Sequence, residues 1–238
     1  MITNAEIKTI RSLREKKFRD TLGLFVVEGE KMVAEALSSS YEVVRVWRRD
    51  EIGENAMSRI SLLSAPSPAL ALVKIPARTP ESGATTPRKG LFLALDSIRD
   101  PGNMGTIIRL AEWFGVSGIF VSPDSVEIYN PKVIQATMGS IFRVEVTRTD
   151  IAALCRAWKE SGIGVYGTFL DGENIYTTPL GAEALVVMGN ESVGISASVA
   201  DTVTGRLLIP SFGDSRGESL NVAVATAVTL SEFRRRAF

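Results

Sequence analysis

Three short stretches hold the residues whose types and spacing could do chemistry. Asn103 and Arg109 lie in LDSIRDPGNMGTIIRLAEWF, around Asp96 to Phe114; Asn190 and Glu191 lie in VVMGNESVG, Val186 to Gly194; Ser219 and Asn221 lie in RLLIPSFGDSRGESLNVAVATAVTLSE, Arg206 to Glu232. Each set follows an apolar run and stands among glycines or prolines, which end a strand and let backbone approach a ligand. Amides and a carboxylate can orient a substrate, and an arginine can hold an anion, so the chemistry on offer is placement and charge stabilisation. No Gly-Lys-Ser/Thr ending makes a P-loop, and no Gly-x-Gly-x-x-Gly makes a dinucleotide loop.

Read one at a time, each stretch keeps a second interpretation. Arg109 falls among Ile107, Ile108, Leu110 and Ala111, so it either occupies the exposed face of a helix or meets an anion. VVMGNESVG is either a ligand loop or a plain turn. Ser219 and Asn221 either cap the apolar helix expected to start at Ser219 or face an electron-rich ligand at its free N–H groups.

Composition removes the commonest catalysts. The 238 residues contain no histidine and one cysteine. Ser/His/Asp and Cys/His catalysis and His-ligated zinc are therefore excluded, and no internal disulfide can form. Cys155, in IAALCRAW, reads as core. With 45% hydrophobic and 23% charged residues the chain has the balance of a soluble globular protein. No signal peptide or membrane-length apolar run is present, so the expected location is the cytoplasm, with no membrane partner.

Lys and Arg total 27 against 27 Asp and Glu, so no global charge draws the chain to nucleic acid. The local exception is KTIRSLREKKFR, in which Lys8, Arg11, Arg14, Lys16, Lys17 and Arg19 stand against Glu15 alone. This is either a basic RNA-binding arm or a solvated helix face.

The elements that must position these residues follow from periodicity. A small α/β unit is expected first, with a strand at Leu24 to Val27, a helix at Glu28 to Leu37, a strand at Val43 to Trp47 and a helix at Pro68 to Val73. TPESGATTPRKG, Thr79 to Gly90, has the composition of a linker and sets the boundary between a domain at 1–85 and a second at 91–238. Strands and helices then alternate. Strands are expected at Leu91 to Leu95, Gly118 to Val121, Phe142 to Val146, Ile163 to Phe169 and Ala184 to Met188, and helices at Met104 to Phe114, Lys132 to Met138 and Ile151 to Glu160. A short helical region after Gly194 and a closing strand, loop and helix complete the chain. That alternation predicts an α/β fold, a parallel sheet with helices on both faces. It also gathers the three polar loops at the carboxyl ends of the strands as one composite site.

Through PGNMGTIIRLAEWFG, YNPKVIQATMGSIFR, VVMGNESVG and IPSFGDSRGESLNVAVA, in that order, the chain resembles the SpoU (TrmH-type) RNA ribose 2′-O-methyltransferases of the SPOUT class. FVVEGEKMVAEAL resembles the small L7Ae-like RNA-binding domain that precedes the catalytic domain in many members. The resemblance implies a C-terminal deep trefoil knot, S-adenosylmethionine as cofactor and a homodimer; with no histidine and one cysteine, no metal is expected. It implies that Gly189, Ile209 and Leu220 hold the cofactor mainly through backbone groups, with Thr168 and Met188 beside it. Asn103, Arg109, Glu191, Ser219 and Asn221 would form the reactive or RNA-facing side, with Arg109 binding phosphate and stabilising the developing alkoxide.

The implied activity is methyl transfer to a ribose 2′-hydroxyl of structured RNA, ribosomal rather than transfer RNA because of the N-terminal domain. A transfer-RNA methyltransferase, a base-nitrogen methyltransferase of the same fold and a non-catalytic RNA-binding module with a relic knot are the alternatives. Two features depart from the family pattern: a longer and more charged loop between Pro210 and Ser219, and Ser192 where glycine is frequent.

Overall fold

The computed structural model describes residues 2–76, 86–213 and 219–235. The chain divides into two compact units, Met1–Thr79 with Glu127–Arg143, and Pro80–Val126 with Val144–Phe238. The excursion Glu127–Arg143, expected within the C-terminal domain, groups with the first unit. Most of the linker proposed at Thr79 to Gly90 lies outside the described residues.

The first unit contains α1 (Asn4–Ser12), α2 (Lys16–Leu22), β1 (Leu24–Glu28), α3 (Glu30–Ser38), β2 (Val43–Arg48), α4 (Arg49–Ile52), α5 (Glu54–Ile60) and β3 (Ala69–Lys74). Its strands form an antiparallel sheet in the order β1-β3-β2. The helix expected at Pro68 to Val73 is therefore a strand, and the central one. Ala69 to Val73 are all buried, and a short continuous apolar run carries no period to separate a covered strand from a buried helix. Thr3 opens α1 with a capping box in which Glu6 returns the bond. Ile7, Ile10 and Leu13 then pack with Trp47, Met57, Ile60 and Leu70 in the unit's core.

The second unit contains β4 (Leu91–Leu95), α6 (Pro101–Trp113), β5 (Gly118–Val121), β6 (Val146–Arg148), α8 (Ile151–Glu160), β7 (Gly164–Asn174), β8 (Ala184–Met188), α9 (Ala197–Ala200), β9 (Gly205–Leu208) and α10 (Val222–Arg235); α7 (Pro131–Thr137) belongs to the excursion. Six strands run in the order β6-β5-β4-β8-β7-β9, and every neighbouring pair is parallel. Trp158, Leu154 and Cys155 of α8 pack on Phe92, Phe120 and Val187 on one face. Leu91, Leu93 and Leu95 alternate to the other face and are also buried, as a parallel sheet covered on both sides requires.

Two further expectations are corrected. Instead of a strand at Phe142 to Val146, a 3-10 turn occupies Ser140–Phe142 and the strand is Val146–Arg148. The last helix begins at Val222 rather than Ser219, because Asn221 takes the capping role. Among the described residues no helix is long and apolar enough to cross a membrane.

Candidate functional site

Parallel order puts the carboxyl ends of β4, β7, β8 and β9 along one edge of the sheet, and the loops leaving them build the site. After β4, Asp100 caps α6 by accepting from Asn103 N–H at 2.8 Å, and Pro101 occupies the first turn, where its missing N–H costs nothing. The Asn103 side chain is thereby aimed at the loops after β8 and β9. Its Nδ2 donates to Glu191 Oε1, and its Oδ1 accepts from Asn221 Nδ2 at 3.0 Å. Asn221 Oδ1 in turn accepts from Ala223 N–H at 3.0 Å and Val224 N–H at 3.3 Å, which caps α10. Both interpretations of Asn221 hold together, since its oxygen caps the helix while its nitrogen reaches across to Asn103.

Beside this chain of amides lies a cavity of about 470 Å³, within the range of small-molecule sites. Thr168, Met188, Gly189, Ile209 and Leu220 all line it, together with Glu191 and Ser219. The loop after β8 closes on itself through Asn190 N–H to Gly194 O at 3.0 Å and Gly194 N–H to Asn190 O at 2.9 Å. A Cβ on Gly189 would stand 2.4 Å from Gly194 C and Ile195 N, so only glycine permits this backbone crossing. Thr168 Oγ1 lies 3.8 Å from Met188 Sδ on adjoining strands. An apolar wall interrupted by loop backbone suits a nucleoside-bearing ligand held through main-chain groups. Among the described residues no cluster of His, Cys, Asp and Glu could hold a metal.

Arg109 is not joined to these residues. It is exposed on α6, about 9 Å further along the helix than Asn103, and makes no hydrogen bond or ion pair among the described residues. The basic arm also divides. Lys8, Arg11, Arg14, Lys16 and Lys17 are exposed. Lys16 pairs with Asp20 and Lys17 with Glu15 at the surface. Arg19 is only 2% exposed and gives Nε at 3.0 Å and Nη2 at 2.6 Å to Glu127, and Nη1 at 2.7 Å to Leu13 O. Its guanidinium is buried and held inside the first unit, so it is a structural residue and leaves the expected RNA-binding set.

Sequence reasoning missed Phe169, Leu170, Val193 and Ile195, which also line the cavity. The available signal was an apolar residue in a polar loop, as with Val193 in GNESVG.

The model of the SpoU rRNA Methylase family matches residues 90–231, which contain every element of this site. The chain belongs to the SpoU rRNA methylase family. A second model, the MRM3-like substrate binding domain, matches residues 4–71 of this SpoU chain. The 23S rRNA (guanosine(2553)-2′-O)-methyltransferase RlmP of Bacillus subtilis (strain 168) is 30% identical, with 97% of this chain and 96% of RlmP aligned. A TrmH-family structure from Porphyromonas gingivalis superposes with a TM-score of 0.89 at 39% identity, covering 99% of both chains. An AdoMet-bound rRNA methyltransferase structure from Sinorhizobium meliloti gives 0.87 at 30% identity, covering 100% of this chain and 97% of that one.

Proposed function

We infer that this SpoU chain is an S-adenosylmethionine-dependent methyltransferase acting on a ribose 2′-hydroxyl of ribosomal RNA. The observation that carries this is the hydrogen-bonded series Glu191, Asn103, Asn221 beside a cavity walled by Gly189, Ile209 and Leu220. It is supported by kinship with RlmP and by the AdoMet-bound relative.

The cofactor supplies an electrophilic methyl group, and what remains for the protein is in-line placement and removal of one proton. The backbone of Gly189, Ile209 and Leu220 holds the cofactor, with Thr168 and Met188 at its side. Glu191 and Asn221 fix the Asn103 amide from both ends, so Asn103 presents one orientation to the ribose. Ser219, at the rim, meets the RNA backbone. Arg109 is free to bind a substrate phosphate, and from there it stabilises the alkoxide that forms as the 2′-hydroxyl passes its proton to solvent water. A neutral guanidine is costly, so Arg109 acts as a charged two-pronged donor to phosphate rather than as the base.

The same reading assigns the first unit, as an L7Ae-like module, to substrate RNA, with Lys8, Arg11, Arg14, Lys16 and Lys17 as phosphate contacts. It places a trefoil knot in the chain that threads β8, β9 and α10, and makes the protein a cytoplasmic homodimer. Support for pairing comes from Trp113 on α6, 84% exposed, and half-exposed Val224 on α10, because α6 and α10 pack together and leave these side chains outward. Sedimentation at micromolar concentration should return twice the chain mass.

The direct test supplies labelled S-adenosylmethionine with unmodified ribosomal or transfer RNA. Incorporation into the ribosomal fraction is expected. Label in transfer RNA alone would overturn the substrate assignment.

A further inference from the structure

The loop Gly189 to Ile195 forms a continuous wall of the cavity, and its internal bonds close it without fixing where it sits. Two residues at the end of β4 do that. Asp96 is 5% exposed, and its Oδ2 accepts from Ser196 N–H and from Ser196 Oγ, each at 2.7 Å. Its own N–H donates to Met188 O at 2.9 Å. One residue on, Ser97 O accepts from Asn190 Nδ2 at 2.8 Å. The same Asn190 folds the loop, its Oδ1 accepting from Ser192 N–H at 2.9 Å and Val193 N–H at 3.3 Å. Both ends of the loop are thus tied to the pair Asp96 and Ser97, neither of which lines the cavity.

Ser97 itself is strained. Its φ of 61° lies in the left-handed region, which a residue with a side chain enters at a cost. It is held there by Ser122 Oγ, which accepts its N–H at 2.8 Å, and by Asp124, which accepts its hydroxyl. Ser122 Oγ also donates to Asp124 Oδ1 at 2.6 Å. The Ser122 and Ser97 hydroxyls hold the Asp124 carboxyl below the usual carboxylate range, so these bonds are to an ionised acceptor at neutral pH. Strain maintained by so many ties, one residue from a binding wall, is the pattern of a pre-organised site.

We propose that Asp96 and Ser97 are positioning residues for the cofactor pocket, setting the Gly189 to Ile195 wall at its distance from the Ile209 and Leu220 wall and so setting cofactor affinity without touching the cofactor. The proposal rests on the cofactor assignment above. A merely structural carboxylate would, when altered, lower the stability of the whole unit. A positioning one should alter the loop and the affinity selectively.

Asp96→Asn keeps the volume and replaces one carboxylate oxygen by an NH2 group, whereas Ser196→Ala removes one of the two bonds and leaves Asp96 intact. Calorimetry should show S-adenosylmethionine affinity weakened about tenfold in Asp96→Asn and less in Ser196→Ala, the scale of a lost buried hydrogen bond. KM for the cofactor should rise in parallel. In the cofactor-free protein, amide exchange should accelerate between Asn190 and Ser196 while Val186 and Val187 of β8 stay protected.

Unchanged affinity and unchanged loop exchange in a folded Asp96→Asn would overturn the proposal, as would exchange that accelerates equally in β8. If Asp96→Asn does not fold, the same two readouts in Ser196→Ala decide. Wild-type protein that binds no S-adenosylmethionine would sink the cofactor assignment instead, and exchange in the cofactor-free variants would still show whether Asp96 holds the loop.

Discussion

The Asn221 side-chain amide donates to the Asn103 side-chain carbonyl at 3.0 Å, joining residues 118 positions apart and tying the start of α10 to the start of α6. Because Asn221 also caps α10, its two functions can be separated by substitution. Asn221→Ala should cost about 1 kcal/mol of stability through the lost cap. Asn221→Ser restores an acceptor for Ala223 N–H, but its hydroxyl is one atom too short to reach Asn103 Oδ1, so it should recover most of the stability and none of the lost turnover. Urea unfolding beside single-turnover methylation checks both halves. Full activity in Asn221→Ser would remove Asn221 from the reactive set.

Arg109 gives the sharpest contrast between a solvated residue and a catalytic one. As an exposed helix residue its replacement by alanine should change stability by less than about 0.5 kcal/mol. Methyl transfer should nevertheless fall about 10²-fold or more, the scale of losing one charge-stabilising donor. Arg109→Lys should not rescue it, since lysine keeps the charge without the planar fork. Cofactor affinity, measured by calorimetry, should be unchanged in both variants. Wild-type turnover in Arg109→Ala would end its catalytic assignment.

Arg19 and Lys8 should behave oppositely although they belong to one charge run. Arg19→Ala leaves the largely covered Glu127 carboxylate with the Tyr129 N–H at 2.8 Å but no cation, and should destabilise the protein by about 3 kcal/mol, read from the urea midpoint. Lys8→Ala should leave the midpoint alone and lower the salt slope of RNA binding by about 1, the effect of one lost phosphate contact. An Arg19→Ala variant of unchanged stability would contradict the structural role assigned to that residue.

Glu28 predicts a pH dependence. Burial raises its pKa above the usual carboxylate value, against the lowering effect of bonds from Ser61 Oγ at 2.6 Å and Leu62 N–H at 2.7 Å. A raised folded-state pKa means that the folded chain keeps this proton to higher pH than the unfolded chain. The stability it contributes is present below the ordinary carboxylate pKa and is lost as pH rises through the raised value. Glu28→Gln removes that titration, so wild-type stability minus variant stability should fall as pH rises from the ordinary carboxylate range. A difference that rises with pH would reverse the assigned shift.

The second unit was legible in the sequence because its strands and helices differ in period and its loops carry the polar residues. LFLAL, GIFV and ALVVM are apolar runs that end at Asp96, Ser122 and Gly189, and those ends mark the loops directly. Thr168, Met188, Gly189, Ile209 and Leu220 came from the family resemblance, and all five line one cavity. The first unit was less legible. ALALV has no period to reveal a central strand, and Arg19 carries no local mark of its burial, because its partner Glu127 is 108 positions away. Asp96 was invisible as a positioning group for the same reason, its partner Ser196 being 100 positions distant.

The measurement that tests the central claim most directly is the chemical position of the transferred methyl group. Unmodified ribosomal RNA treated with the protein and labelled S-adenosylmethionine should yield label in alkali-resistant dinucleotides, because a 2′-O-methyl group blocks cleavage at its own phosphodiester. The label should disappear with Arg109→Ala. Label recovered on a base nitrogen, or no incorporation by a protein that binds the cofactor and the RNA, would contradict ribose 2′-O-methylation by this chain.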